Sequence, residues 1–148
     1  MSLLWIDGFD HYAGPAPNDI AQKYTTVSGT PTISTVTGIR TGRACILCGS
    51  GFGIQKTFTG NANARYYVGV GVFFPVISAC ETIQLLDTST VQVHAKLNAD
   101  GTISVYRATG TANLLGTTPL ANALQVNVNY FIELDVTISA TAGTVTVK

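Results

Sequence analysis

The chain has 148 residues, with eight acidic and eight basic side chains, and only 11% of its residues are charged, less than half of the usual share of about 25%. A neutral, weakly charged chain lacks the basic surface that nucleic acid requires, and it has no run of Lys or Arg for a membrane surface. Because proteins with a net charge near zero tend to associate, the composition favours a subunit of an assembly over a freely diffusing enzyme.

Neither the N-terminus nor the longest apolar run is typical of a targeting or membrane segment. The first residues lack a basic n-region, and their apolar run is broken at Asp7, so we predict no signal peptide. The longest apolar run, Tyr66 to Ala79, is interrupted by glycines and by Pro75, so we predict no transmembrane span.

The first half of the chain predicts short strands and one helical turn. Asn18 to Tyr24 is the only weakly helical stretch, and Asn18 is a suitable N-cap for a single turn. The predicted strands are rich in residues that favour a pleated surface or are bounded by turn residues. They are Leu4 to Phe9, Thr32 to Thr37, Ala44 to Cys48 and Gly53 to Thr59.

The second half predicts longer strands with clear alternation. In the strand Tyr66 to Phe74, large residues line one face, while the other face carries Tyr67 with Gly69 and Gly71. Glycines in a strand allow a neighbouring group to approach closely. Thr82 to Asp87 is the next predicted strand.

An Asp-Gly turn joins two of the remaining strands. Val91 to Leu97 alternates apolar residues with polar ones that include His94, which predicts a strand with one wet face. Asn98 to Gly101 predicts a hairpin, because glycine adopts the positive φ that such turns need. The strands that follow are Ile103 to Arg107, the clearly amphipathic Tyr130 to Ser139, and Thr144 to Val147.

About ten short strands joined by turns predict an all-β fold, an antiparallel β-sandwich or jelly roll. No internal repeat, linker or low-complexity segment interrupts the chain. We therefore expect one sandwich domain over residues 1–148.

Six short motifs occur in order along nearly the whole chain. They are Trp5 to Tyr12, Gly42-Arg43, Lys56 to Phe58, Tyr67-Val68 with Val70, Asp100 to Val105, and Tyr130 to Leu134. In this order they resemble phage virion structural proteins with a concanavalin A-like, laminin-G-like β-sandwich. The resemblance implies a protein that is synthesised in the host cytoplasm and resides on the outer surface of the virion.

The end of the sequence departs from that family. There, a strand like Gly143 to Lys148 leads into an Asn-Gly turn and further strands, whereas this sequence stops at Lys148. Either a tail is missing from the sequence or the protein is a shortened version. A shortened sandwich leaves sheet edges unpaired, and an unpaired edge is a template for another chain. We therefore expect a homo-oligomer or docking onto a larger assembly.

Two groups of residues have the types that bind metal, but neither has a full ligand set. Cys45 and Cys48 have CxxC spacing, yet zinc needs four ligands, and on a strand the two side chains point to opposite faces. An odd number of cysteines favours reduced structural thiols. Asp7 and Asp10, near His11, fall short of the six to eight oxygens of a calcium site. We predict no metal and no cofactor.

One pair of carboxylates has a spacing close to that of a glycosidase. Glu133 and Asp135 lie two residues apart on one strand face, about 6–7 Å from each other, and glycosidases hold two carboxylates about 5–10 Å apart. A solvated strand face produces the same pattern, however. We favour that interpretation and predict that the protein is not an enzyme.

The residues that we predict for contacts with partners are an apolar arm and two tyrosines. The arm comprises residues 1–4, and its apolar surface continues into Trp5. The predicted contact residues are therefore Leu3, Leu4 and Trp5. Tyr12 and Tyr67 are candidates for stacking on a sugar, although sheet cores use the same residue type.

Three functions compete on these grounds. The first is a non-enzymatic capsid decoration or cement protein that stabilises contacts between major capsid subunits or binds other virion subunits. The alternative is a carbohydrate-binding module of a phage tail fibre or tail tip, for which glycans are the partners. The third, an endoglycanase-like enzyme, is disfavoured by the small number of glutamates, Glu81 and Glu133.

Overall fold

The computed structural model describes residues 18–29, 32–34, 45–47, 53–58, 64–139 and 141–148. The chain divides into two compact units, Met1–Ala62 and Asn63–Lys148, and each unit has sheets of its own. The organisation of residues 1–148 as one sandwich domain stays a prediction. The predicted strand Leu4 to Phe9 lies outside the described residues.

The first unit contains one short helix and four three-residue strands within the described ranges. Helix α1 (Asn18–Lys23) confirms the predicted helical turn, and Ile20 and Tyr24 are buried. The strands pair antiparallel in two ribbons, β1 with β4 and β2 with β3. They are β1 (Thr26–Ser28), β2 (Thr32–Ser34), β3 (Cys45–Leu47) and β4 (Gly53–Gln55).

A three-stranded antiparallel sheet forms one layer of the second unit, with the order β11–β10–β5. On β10, the side chains of Ile132, Leu134 and Val136 are buried, which confirms the predicted inward face. Ile138 follows the end of the strand and is 37% exposed. The strands are β5 (Arg65–Phe73), β10 (Asn129–Thr137) and β11 (Thr144–Val147).

A four-stranded antiparallel sheet forms the other layer, with the order β6–β7–β8–β9. Its inward residues include Val93, Ala95 and Val105, all buried. A short 3₁₀ turn, Leu120–Asn122, follows the last strand. The strands are β6 (Cys80–Asp87), β7 (Thr90–Leu97), β8 (Ile103–Arg107) and β9 (Leu114–Thr117).

The two sheets of the second unit enclose one apolar core, so this unit is an antiparallel β-sandwich, as the alternation predicts. Apolar side chains from both sheets form a single cluster because period-two strands present one face to each other. Val68, Val70 and Val72 of β5 pack against it, as predicted for that face. The buried members are Ile83, Val93, Ala95, Leu97, Ile103, Val105, Ile132, Leu134 and Val136.

The predicted Asp-Gly hairpin joins β7 to β8. Gly101 has a φ of +84°, and its N–H donates to the carbonyl of Asn98 over 3.0 Å. The Asp100 carboxylate accepts from the backbone N–H and the hydroxyl of Thr102, at 3.0 and 2.6 Å. These bonds lower the pKa of Asp100, since the Thr102 hydroxyl and then its N–H stabilise the charged form.

The polar face of β7 differs from the prediction at His94. This residue is only 3% exposed, so the expectation of a wet face there is wrong. The imidazole stacks on Tyr106 with ring centroids 5.0 Å apart, and its Nδ1 lies 2.8 Å from the carbonyl oxygen of Ala108. A ring contact and a backbone partner therefore take the place of water around this side chain.

Within the described ranges, no helix has the length and apolarity needed to cross a lipid bilayer.

Candidate interaction surfaces

Tyr67 is the predicted contact residue whose position the structure shows. Leu3, Leu4, Trp5 and Tyr12 lie outside the described residues, as does the proposed arm of residues 1–4. Tyr67 lies on β5 and is 39% exposed. It belongs to the outer face, which we define as the side of the three-stranded sheet that points away from the core. Its principal residues are Arg65, Tyr67, Gly69, Phe131, Glu133, Asp135 and Lys148.

A second aromatic ring, Phe131, lies on the outer face and is 66% exposed. The ring reaches from β10 across to β5, where its far end lies over the backbone of Gly69. A Cβ at Gly69 would overlap Cζ of Phe131 and lie 2.9 Å from its Cε1. The predicted close approach at the strand glycines is therefore made by an aromatic ring of the neighbouring strand.

Two ion pairs flank the aromatic rings on the outer face. Arg65 donates from Nε and Nη2 to the two carboxylate oxygens of Asp135, at 2.9 and 2.8 Å. Lys148 donates to Glu133 over 3.0 Å. Both cations also lie near the Tyr67 ring, Arg65 at 4.9 Å and Lys148 at 5.9 Å from its centroid. The tyrosine ring is thus held among charges that balance one another.

The pKa values of Asp135, Arg65 and Lys148 move in the direction that keeps each of these three groups charged. The hydrogen bond from Arg65 lowers the pKa of Asp135, and the same bond raises the pKa of Arg65. The hydrogen bond to Glu133 raises the pKa of Lys148. In the two ion pairs of the outer face, the formal charges of two cations and two carboxylates cancel.

Three loops meet at one end of the sandwich and leave apolar side chains exposed there. The N–H of Leu124 donates to the carbonyl of Gly101 over 2.8 Å, which ties the segment after the 3₁₀ turn to the hairpin. Val76 and Val126 are 70% and 48% exposed. We define the end surface as Val76 with the residues around a shallow depression of about 460 Å³, which are Ile77, Ala99, Asp100, Leu124, Gln125 and Val126.

The buried His94 borders a small groove of about 170 Å³ on the four-stranded sheet. Its Nε2 lies 3.6 Å from a carboxylate oxygen of Glu81, a side chain that is 46% exposed. Ala108, whose carbonyl lies beside Nδ1, has a φ of +61°, which is unusual for a residue with a side chain. The imidazole is therefore positioned by its surroundings, with one nitrogen facing the groove.

The structure brings together only some of the residues that suggested chemistry. Glu133 and Asp135 do share the outer face, but each is paired with a cation. Cys80 is a half-buried free thiol, and its burial raises its pKa. Among the described residues, no three His, Cys, Asp or Glu side chains are grouped as a metal site requires. Asp7, Asp10, His11 and Cys48 lie outside those residues, and nothing is shown of the Cys45 side chain.

Comparison of the chain with known protein families, with curated proteins and with solved structures gave no match.

Proposed function

We propose that the chain is a non-enzymatic structural protein of a phage particle, a capsid decoration or cement protein that stabilises contacts between major capsid subunits. The order of the sequence motifs suggests the virion, and the end surface supports a role in binding another protein. In this proposal the protein resides on the outside of the particle and associates with other virion subunits and with copies of itself.

The observation that carries the proposal is the exposure of apolar side chains at the end surface. The cores of protein interfaces are apolar and depleted of charged residues. Here Val76 and Val126 are exposed beside Ile77 and Leu124. The carboxylate of Asp100, at the rim, already accepts two hydrogen bonds from Thr102. Both bonds are accepted by Oδ1, so a partner that covers the apolar residues gains contact there while the other carboxylate oxygen of Asp100 stays in water at the rim.

The number of copies in purified particles tests the proposal directly. Quantitative mass spectrometry of particles of the phage that encodes the chain measures its amount relative to the major capsid protein. A decoration protein is expected at a stoichiometry comparable with that of the capsid subunits. A few copies per particle would place the protein in the tail, and its absence from the particle would refute a virion role.

Variants of the end surface test whether this surface makes the contact. Val76→Asp and Val126→Asp introduce a charge into the apolar contact, and each is expected to lower capsid occupancy. Leu86→Asp is the matched control, because Leu86 is 39% exposed near the opposite end of β6. Equal occupancy of all three variants would show that the contact lies elsewhere, even if the protein is abundant in particles.

The proposed self-association is measured separately by size-exclusion chromatography with light scattering. Within the described part of the chain, β9 is an edge strand whose residues are all exposed, and strand edges pair readily with another chain. An oligomer at micromolar concentration is expected. A monomer under those conditions would contradict self-association but would leave binding to the capsid to be decided by the occupancy measurements.

A further inference from the structure

The outer face of the three-stranded sheet combines two exposed aromatic rings with an ordered polar surround. The Phe131 ring lies over Gly69, and Gly69 follows Tyr67 by two positions on the same face of β5. Positions i and i+2 of a strand are about 6–7 Å apart. The two rings therefore form a short apolar track along β5, with a spacing similar to the length of one pyranose ring.

The polar groups beside this track offer both donors and acceptors in fixed positions. Arg65 uses two of its five N–H groups on Asp135, and Lys148 uses one of its three on Glu133. The remaining N–H groups of Arg65 and Lys148, whose side chains are 56% and 55% exposed, and the Glu133 carboxylate, which is 33% exposed, are accessible to a ligand, whereas Asp135 is only 13% exposed. Since the ion pairs restrain these side chains, a ligand does not have to bear the whole entropic cost of ordering them.

The balance of charge restricts the chemistry of the ligand. Two cations and two carboxylates cancel on the outer face, so an anionic polymer such as nucleic acid gains no net attraction there. A protein partner that covered the face would have to remove water from Arg65–Asp135 and Lys148–Glu133, which is costly for ion pairs. The face is suited to a neutral ligand that has an apolar side and a rim of hydroxyl groups.

We propose that the outer face is a binding site for a neutral saccharide chain of at least two pyranose units, which stacks on Phe131 and contacts the exposed part of the Tyr67 ring beside the two cations that lie over it. The C–H groups of a pyranose face pack on the aromatic rings, and its hydroxyls exchange hydrogen bonds with Arg65, Lys148 and Glu133. This site is distinct from the end surface and does not depend on a role in the capsid.

The Gly69–Phe131 contact gives this site a sensitive structural requirement. Phe131 lies over β5 because no Cβ occupies the position at Gly69. Gly69→Ala retains both aromatic residues but forces the Phe131 ring away from the strand. The proposal therefore expects Gly69→Ala to weaken saccharide binding even though no residue that contacts the ligand has been removed.

The experiment uses the full chain and a defined panel of oligosaccharides, namely the hexasaccharides of cellulose, xylan, mannan, chitin and amylose, with a sulfated heparin hexasaccharide as the anionic probe. Binding is measured by isothermal titration calorimetry and by amide shifts in two-dimensional NMR. We expect at least one neutral hexasaccharide to bind and to shift amides of β5 and β10. Preference for the sulfated probe, or no binding by the whole panel at millimolar concentration, would overturn the proposal.

Matched variants then assign the binding to the two rings. Tyr67→Ala and Phe131→Ala are each expected to lower affinity about tenfold, equivalent to ~1.4 kcal/mol, and Gly69→Ala is expected to lower it as well. Leu114→Ala removes a side chain that is 54% exposed on β9, and it should leave affinity unchanged. An unchanged circular-dichroism spectrum and urea midpoint show that each variant is folded. If Tyr67→Ala does not fold, Tyr67→Leu replaces it. Saccharide binding that survives in a variant lacking both rings would refute this site. The site would also be refuted if Phe131→Ala lowered capsid occupancy while the unmodified protein bound no saccharide.

Discussion

Replacing Leu134 by Ala measures how firmly the two sheets of the sandwich pack on each other. Leu134 is fully buried at the middle of β10. In the sheet it is paired with Val68 of β5 on one side and with Val147 of β11 on the other. Its side chain belongs to the core cluster that also contains residues of the four-stranded sheet. The substitution therefore opens a space at the centre of the second unit.

The size of the effect follows from what is removed and from how little the site can relax. Three carbon atoms leave the core, and at about 0.8 kcal/mol each their transfer alone is worth about 2.4 kcal/mol. A cavity term adds to this value, because β10 is hydrogen-bonded to a strand on each side and cannot collapse inward. We expect a loss of about 3–4 kcal/mol, within the range of about 2–5 kcal/mol for such changes.

Urea unfolding followed by far-UV circular dichroism measures the loss, and hydrogen exchange of the β10 amides assigns it to the second unit. Leu120→Ala is the control, because Leu120 is 69% exposed in the 3₁₀ turn, and its effect should stay within about 0.5 kcal/mol. A loss below about 1 kcal/mol for Leu134→Ala, or one equal to that of the control, would refute the packing of the two sheets.

Three further predictions concern the hairpin, acid stability and the buried histidine. Gly101→Ala should lower the free energy of unfolding in urea by more than about 2 kcal/mol, because a Cβ there overlaps the backbone of Leu124 in addition to the cost of a positive φ, about 1–2 kcal/mol. Gly110→Ala is the control, since Gly110 has a φ of +78° with open space around it and should show the cost of the positive φ alone. The pKa of Asp135 is lowered in the folded protein, so the stability that its ionised form contributes is present above the unfolded pKa near 3.8. That contribution is lost as the pH falls through the lower folded pKa. Asp135→Asn should therefore reduce the drop in urea midpoint between pH 5 and pH 2, and an unchanged drop would contradict this linkage. His94→Leu should lower the free energy of unfolding by about 1–3 kcal/mol in the same assay, because the carbonyl of Ala108 loses its side-chain partner. An unchanged free energy of unfolding would show that water replaces the imidazole.

Alternation along the sequence predicts the strands of the second unit and their inward faces because burial on one side of a strand requires it. Ile132, Leu134 and Val136 are apolar at every second position, and all three are buried. The Asp-Gly hairpin was predictable for a local reason, the positive φ of Gly101. These features depend on residues close together in the sequence.

Contacts between distant strands are not visible in the same way. The ion pair of Arg65 with Asp135 joins residues seventy positions apart, and it depends on a register that alternation alone does not specify. Phe131 was missed as a surface residue, although the alternation of β10 places position 131 on the same outward face as Glu133 and Asp135. The glycine at position 69 was a second signal, since it marks room for a neighbour, but the sequence does not identify that neighbour.

His94 shows a related limit of alternation, because polarity at a strand position does not determine exposure. The residue occurs where a wet face is predicted, yet it is buried with a ring partner and a backbone partner. Those partners are Tyr106, on the next strand, and Ala108, after the end of that strand. A polar residue can therefore lie on the outward side of a strand and still be buried, provided that its neighbours satisfy its hydrogen-bonding groups.

The same reasoning changes the interpretation of Glu133 and Asp135. Their spacing on one strand fits both a solvated face and a pair of catalytic carboxylates, and the sequence cannot separate the two. In the structure Asp135 is bonded to Arg65 of β5 and Glu133 to Lys148, which follows β11, and hydrogen bonds from Arg65 lower the pKa of Asp135. A glycosidase needs one of its carboxyl groups to stay protonated as the general acid, which requires a raised pKa. The hydrogen bonds from Arg65 act on the pKa of Asp135 in the opposite direction, so this carboxylate is not suited to donating a proton as a general acid.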